Sequence, residues 1–332
     1  MVEGTLGSHQ RKGSTKMRKN TGVCAGIDTG KRRLDAAVHG WGGTFAIDNT
    51  ADGHAALSAF LRQHRVKRVG IEASGGYERD VVLALRRDGF KVIVFQPAQV
   101  RAFAKFSGQR AKNDKIDARL IAACTAAAKT IHAPPDPRLL KLADHLTVIE
   151  QIGEDIARYK TRRETCRDQR LRDLWSAQIA RLETMLDAEL KALAAAIRQH
   201  RDLATRLDLI ASIDGIGERT AIAIVVRMPE IGRLSREQAA ALAGLAPYDD
   251  DSGEHHGQRR IDGGRERLRT SLYAAALPAA FRWNAQLVAM YKRLIAAGKP
   301  HKLALVACAR KLLIFANTVV ARGTPWRSEP AH

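Results

Sequence analysis

Arg110-Ala111-Lys112-Asn113-Asp114-Lys115-Ile116-Asp117-Ala118-Arg119 opens an Ala-rich run with two acids three residues apart. At the start of a helix this spacing projects both carboxylates from one face of the first turn, where such a pair can hold a divalent metal. Lys112, Lys115 and Arg119 surround the pair. They suit a site where a phosphate backbone must approach acids that would otherwise repel it. The same acids would also suit any helix N-terminus, whose dipole favours negative charge. Two acids upstream, each ending a predicted strand, decide between the readings.

Val23-Cys24-Ala25-Gly26-Ile27 reads as a buried strand running into Asp28-Thr29-Gly30. Leu34–Val38 and Thr44–Ile47 continue as strands, with Gly40 and Gly42-Gly43 turning between them, which predicts a three-strand antiparallel meander. Ala51–His64 has helical spacing through Ala55, Leu57, Phe60 and Leu61. Arg68-Val69-Gly70-Ile71 is a short strand ending at Glu72, followed by Ala73-Ser74-Gly75-Gly76 and a helix from Tyr77 to Arg87. Lys91–Phe95 is a fifth strand closed by Pro97, and a helix runs from Asp114 to Lys129. The β-β-β-α-β-α-β-α order is that of the α/β ribonuclease H-like fold. That fold carries carboxylates at the end of its first strand, the end of its fourth and on its last helix. Asp28, Glu72, Asp114 and Asp117 occupy those places. Singly, Asp28 reads as a turn former and Glu72 as a solvated strand end. Jointly they form a hard, all-oxygen site suited to Mg²⁺ or Mn²⁺. Two such ions about 4 Å apart activate a nucleophile and stabilise the leaving oxygen in phosphodiester cleavage.

Downstream, Pro134, Pro135 and Pro137 stop the helix and mark a boundary. Leu142, Leu146, Ile149, Ile156 and Tyr159 then recur about every 3.5 residues, as do Leu174, Ile179, Leu182, Leu186, Leu190, Leu193 and Ile197. The charged stretch Lys160–Arg172 between them reads as a hairpin tip or a solvated helix segment. Coiled-coil dimerisation and packing within one chain both fit these stripes. Further on, Ile213-Asp214-Gly215-Ile216-Gly217-Glu218 resembles a helix-hairpin-helix, whose Gly-x-Gly turn presents N–H groups to a phosphate. Pro247 to Gly264 reads as a polar loop, and helices over Arg265–Phe281, Ala285–Ala297 and Lys302–Ala321 finish the chain. In the loop, Ser252 lies between Asp249-Asp250-Asp251 and Arg259-Arg260 and is a candidate nucleophile toward phosphorus, with His255 and His256 as bases or bystanders.

The expected partition is a disordered basic arm over 1–21, the α/β domain over 22–133, a coiled coil or helical hairpin over 138–200 and a mainly α domain over 203–323. Among 332 residues, 55 Lys or Arg against 35 Asp or Glu give a net charge of +20, which implies a polyanionic partner such as nucleic acid. No apolar run is expected to reach the roughly 18 residues that span a bilayer, and no signal-peptide core is seen. The expected place of action is the cytoplasm, at the nucleoid. Cys24, Cys124, Cys166 and Cys308 lack zinc-site spacing and read as reduced thiols.

Gly26-Ile27-Asp28, Ile71-Glu72-Ala73-Ser74-Gly75, Lys112–Arg119, Ile213–Gly217, and Asp251-Ser252-Gly253 followed by Gly263-Gly264-Arg265 together resemble DEDD-type insertion-sequence transposases of the insertion-sequence one-ten family, the bridge-RNA-guided recombinases. The resemblance covers nearly everything after Asn20. It implies a RuvC-like domain, a coiled coil and a C-terminal transposase domain. It also implies a metal-binding tetrad of Asp28, Glu72, Asp114 and Asp117, and Ser252 as the nucleophile of a transient 5′-phosphoserine link to DNA. The partners it implies are a structured guide RNA, target and donor double-stranded DNA, and other copies of the chain in a tetramer, a dimer of dimers. Lys112, Lys115, Arg119, Gly215, Gly217, Arg259, Arg260 and Arg265 are the expected nucleic-acid contacts. Asp249-Asp250 and Glu254-His255-His256 match no part of the family pattern. A RuvC-like junction nuclease without a covalent serine is the nearest rival, and a catalytically silent nucleic-acid scaffold is the other.

Overall fold

The computed structural model describes residues 22–108, 114–129, 136–248, 251–252, 255–256 and 260–327, with the side chains of 114–116, 251–252 and 255–256 outside that set. Two compact units divide the chain, residues up to 134 and residues from 135.

In the first unit, β1 (Val23–Thr29), β2 (Arg33–Val38) and β3 (Phe45–Asp48) pair antiparallel in chain order. β4 (Val66–Glu72) and β5 (Lys91–Phe95) extend the sheet as parallel strands, reached through α1 (Ala51–Gln63) and α2 (Arg79–Arg87). The order β3-β2-β1-β4-β5 is the mixed sheet expected of a ribonuclease H-like fold. Strand alternation sorts the core into two layers. Ala25, Ile27, Val69 and Ile71 pack with Leu57, Leu61, Val81 and Leu85 of α1 and α2. Each fully buried Leu or Ile there stabilises the unit by about 2 kcal/mol. On the opposite face Ile93 and Phe95 pack with Val100, Ile121 and Cys124. Those residues lie on α3 (Pro97–Phe106) and α4 (Asp114–Ala127). Pro97, read from sequence as a strand stop, also opens α3. Its missing N–H costs nothing at the first helical position, and Gln99 Oε1 accepts the Gln96 N–H at 2.9 Å.

The second unit begins with a helical hairpin, α5 (Pro137–Thr165) and α6 (Gln169–Arg198). Its link falls inside the charged stretch, where Asp168 caps α6 by accepting from Leu171 N at 3.2 Å. The ion pair Lys160–Glu183 (2.8 Å) and the His145–Glu189 hydrogen bond (2.7 Å) link the two antiparallel helices. Leu142, Leu146, Ile149, Leu193 and Ile197 join one large core with α7 (Arg201–Ala211), α8 (Glu218–Arg227), α9 (Arg236–Leu242), α10 (Glu266–Pro278), α11 (Ala285–Ala296) and α12 (His301–Arg322).

Two sequence expectations need correction. α12 is long and apolar enough to cross a membrane by length and composition, with a window of mean hydropathy 1.8. More than half of that window is buried in the protein, and Leu305, Cys308, Leu312, Leu313, Ala316 and Val319 are core residues, which accounts for the apolar run. The described residues of the stretch read as a loop form two short antiparallel ladders. β6 (Pro247–Tyr248) pairs with β9 (Arg260–Ile261), and β7 (Asp251–Ser252) pairs with β8 (His255–His256). These two-residue ladders are too short and polar to leave an alternating pattern.

Candidate active site

Glycine lets α4 lie directly on the sheet. A Cβ on Gly26 would run into the backbone of Ala118 and Ala122, and one on Gly70 would run into the Thr125 side chain. Residues 24, 26 and 28 of β1 and 68, 70 and 72 of β4 therefore share the face beneath α4. At the far end of this face Arg68 donates to the carbonyls of Ala126 (3.3 Å) and Ala128 (3.0 Å), closing the C-terminal end of α4 with a buried cation. The helix thus runs antiparallel to β1, and its first turn comes to the strand end where Asp28 sits. The register pairs Gly26 with Gly70 and Ile27 with Ile71, and Asp28 and Glu72 directly follow these last residues paired between β1 and β4.

Asp28, Glu72 and Asp117 are all half-buried on this face or in the turn above it. Asp114, the first residue of α4, falls by spacing in the stripe of Ala118, Ile121 and Thr125. Its side chain, and that of Lys115, lie outside the described residues, as do Lys112 and Arg259 entirely. The donor set is all oxygen, which fits a hard divalent ion. Among the described residues no group of three or more His, Cys, Asp or Glu stands close enough to hold one.

Four residues that the sequence reading passed over shape this end of the sheet. Asp35 pairs with Asp28 across the β1–β2 ladder, is 5% exposed, and takes an ion pair from Arg33 at 3.1 Å. The signal was a lone acid inside the apolar strand Leu34–Val38. Asn49 donates from one amide nitrogen to Gly30 O (3.1 Å) and Tyr77 O (3.0 Å), joining the turn after β1 to the loop after β4. His54 donates to its Oδ1 at 2.8 Å. Burial holds the His54 pKa below the ordinary 6.5, against an opposing pull from Asp80. In the loop after Glu72, Glu78 accepts from Ser74 N (3.0 Å), Ser74 Oγ (3.2 Å) and Gly76 N (2.9 Å). Burial pushes the Glu78 carboxyl up, but these donors outweigh it and hold it below the usual range. The Ala73-Ser74-Gly75-Gly76 motif is thus a nest closed on a carboxylate, with φ of 75° at Gly75 and 112° at Gly76.

Other candidate contacts are placed as follows. Arg119 is exposed and donates to Gly42 O. Gly215, at φ 92°, packs against Ala279, and Gly217 is the N-cap of α8 with no side-chain cap. Arg260 is exposed on β9. Arg265 is engaged by Glu230 through two contacts, at 2.6 and 2.8 Å. Ser252 pairs by backbone with His255 in the β7–β8 ladder, and its side chain lies outside the described residues.

The profile of a DEDD transposase of the IS110 type matches residues 25–171, and that described as "Transposase IS116/IS110/IS902 family" matches residues 207–292. The chain belongs to the IS110-type DEDD transposases. Pilin gene-inverting proteins of Moraxella lacunata and Moraxella bovis are each 28% identical over 318 residues, covering 91% of this chain and 96% of theirs. A Thermus thermophilus RuvC structure shares 23% identity, covers 34% of this chain and 84% of its own, and has a TM-score of 0.23. This transposase is accordingly an enzyme of DNA rearrangement.

Proposed function

We propose that this transposase cuts and rejoins DNA under the guidance of a structured RNA, using a divalent ion held by Asp28, Glu72, Asp114 and Asp117 and a covalent link to Ser252. The observation that supports the cleavage half is the shared face beneath α4, where Asp28 and Glu72 follow the last residues paired between β1 and β4 and α4 bears Asp114 and Asp117. Mg²⁺, or Mn²⁺ in its place, would supply Lewis-acid activation of a phosphodiester there. The chain's own part would be to keep the acid-bearing strand ends and the first turn of α4 on one face, through Gly26, Gly70 and the Asn49 bridge, and to let Arg119 and the basic residues around it accept the phosphate backbone.

Rejoining is supported by the relatives named for inverting a gene, because inversion requires new strand junctions and hydrolysis alone would lose the bond energy. A protein nucleophile keeps it: the Ser252 Oγ–phosphorus bond forms as the phosphorus–O3′ bond breaks, leaving a 3′-hydroxyl and a 5′-phosphoserine. The rest of the reading follows the family resemblance. Sequence choice lies in RNA pairing with target and donor DNA, the α5–α6 hairpin makes coiled-coil contacts in a tetramer, and the Gly215–Gly217 turn meets a phosphate as a helix-hairpin-helix. The basic arm and the four-part division of the chain belong to the same reading, as does action at the cytoplasmic nucleoid.

The test is to sequence the RNA that copurifies with the protein, then supply it with Mg²⁺ and DNA carrying the element's junctions. A denaturation-resistant adduct mapping by mass spectrometry to Ser252, absent in Ser252→Ala, is expected. Strand exchange by Ser252→Ala would return the reading to another nucleophile.

A further inference from the structure

α10 meets Pro278 and then widens into a π-helical turn, Ala279–Trp283, before α11. The wide turn changes which side chains face the core. Leu272, Ala275, Ala276 and Ala279 form a buried stripe at helical spacing, and the next place in an α-helix would fall to Trp283. Asn284 takes it instead, five residues after Ala279: its N–H donates to Ala279 O at 3.0 Å, and the residue is 1% exposed. The Asn284 side chain is held at both ends, donating to Asp214 O at 3.0 Å and accepting from Leu287 N at 3.2 Å to cap α11. Phe281 and Trp283 are left facing outward, 54% and 57% exposed.

Exposure of two large aromatics would be costly without a partner, and the surroundings indicate one. Tyr291 meets Phe281 edge-on at 5.0 Å, and His301 lies nearly parallel to it at 6.2 Å. The Tyr291 hydroxyl stands 2.6 Å from His301 Nδ1, which fixes this side of the cluster. Arg282 lies over the Trp283 ring at 4.9 Å. From Arg267 to Ser328 the sequence has eleven Lys or Arg and no Asp or Glu. Flat, exposed rings on a stretch whose charged residues are all basic match a ligand with flat apolar faces and a chain of negative charges. The Asn284 side chain also ties the wide turn to Asp214, in the loop that leads to Gly217 at the start of α8.

We propose that Phe281, Trp283 and Arg282 form a stacking platform for unpaired bases of a DNA strand, such as strand exchange exposes. This deepens the transposase reading and rests on it, with DNA chosen over RNA because DNA is the substrate of the family. A second copy of the chain is the competing occupant.

The test measures binding of fluorescent single-stranded oligothymidine to the full-length protein at fixed salt. Phe281→Ala with Trp283→Ala should weaken binding at least about tenfold while duplex binding and thermal melting stay unchanged. Trp283→Phe should retain the affinity and lose the tryptophan quenching that accompanies binding. Asp28→Asn, which disables the proposed cleavage centre, should bind as the wild type does, so the two claims fail separately. Unchanged affinity in the double variant overturns the platform. A fall in oligomer mass on light scattering in that variant gives the face to a second copy and overturns it too. At least tenfold tighter binding of oligouridine overturns the assignment to DNA.

Discussion

Asp35 stands directly across the β1–β2 ladder from Asp28, and residues opposed in this way point to the same face of a sheet. Like charges so placed repel, and Asp35 is buried with Arg33 as its partner. A bound divalent ion would remove the conflict. If Asp28 holds that ion, Asp35 is placed to orient a water on it. Asp35→Asn is then expected to weaken Mn²⁺ binding about 10–100-fold by electron paramagnetic resonance, with Asp35→Glu in between. An unchanged Mn²⁺ isotherm would reduce the Arg33–Asp35 pair to a packing feature.

Gly26→Ala tests whether α4 must lie directly on β1. The added methyl meets main-chain atoms of Ala118 and Ala122, which cannot rotate away. A loss of about 1–3 kcal/mol or more in urea unfolding is expected. Unchanged stability would mean that the helix can lift, and the proposed grouping of the acids would then lack its geometric basis.

Asn49→Ala removes the amide that joins Gly30 to Tyr77 and leaves His54 without its acceptor. The expected loss is about 1–3 kcal/mol in stability, with DNA cleavage falling further than duplex binding because both acid-bearing strand ends are loosened. Equal falls in cleavage and binding would argue against a positioning role.

Acidification should destabilise the first unit through His54. Its folded pKa is depressed by burial, so the unfolded chain takes a proton first as the pH drops below the ordinary 6.5. The contribution is present in full above that value and is lost as the pH falls through the folded pKa. His54→Gln should flatten the melting-temperature profile between neutral pH and the onset of carboxylate titration. A slope equal to that of the wild type would place the effect elsewhere.

The five strands and most helices of the first unit were legible because apolar strands bounded by glycine and proline leave a clear pattern. The acids at strand ends could be placed from element order alone. Asp35 was hidden because a single charged residue in a strand does not say which face it takes until the register with β1 is known. Asn49 escaped notice because its partners, Gly30 and Tyr77, are far apart in sequence. In the second unit α10 to α12 were found within a few residues, but the π-turn was not. Ala279-Ala280 continues a helical stripe, and only the hydrogen bond from Asn284 to Ala279 shows that the turn is five residues wide. The short ladders around Ser252 were missed for lack of apolar alternation.

The most direct measurement is Mg²⁺-dependent cleavage of junction DNA by wild type and by Asp28→Asn, with the copurified RNA supplied. Amide replacement keeps the shape of the side chain and removes the charge that a hard ion needs. The account predicts that Asp28→Asn melts and binds duplex DNA as the wild type does and cuts nothing. Cleavage at the wild-type rate by Asp28→Asn would contradict it.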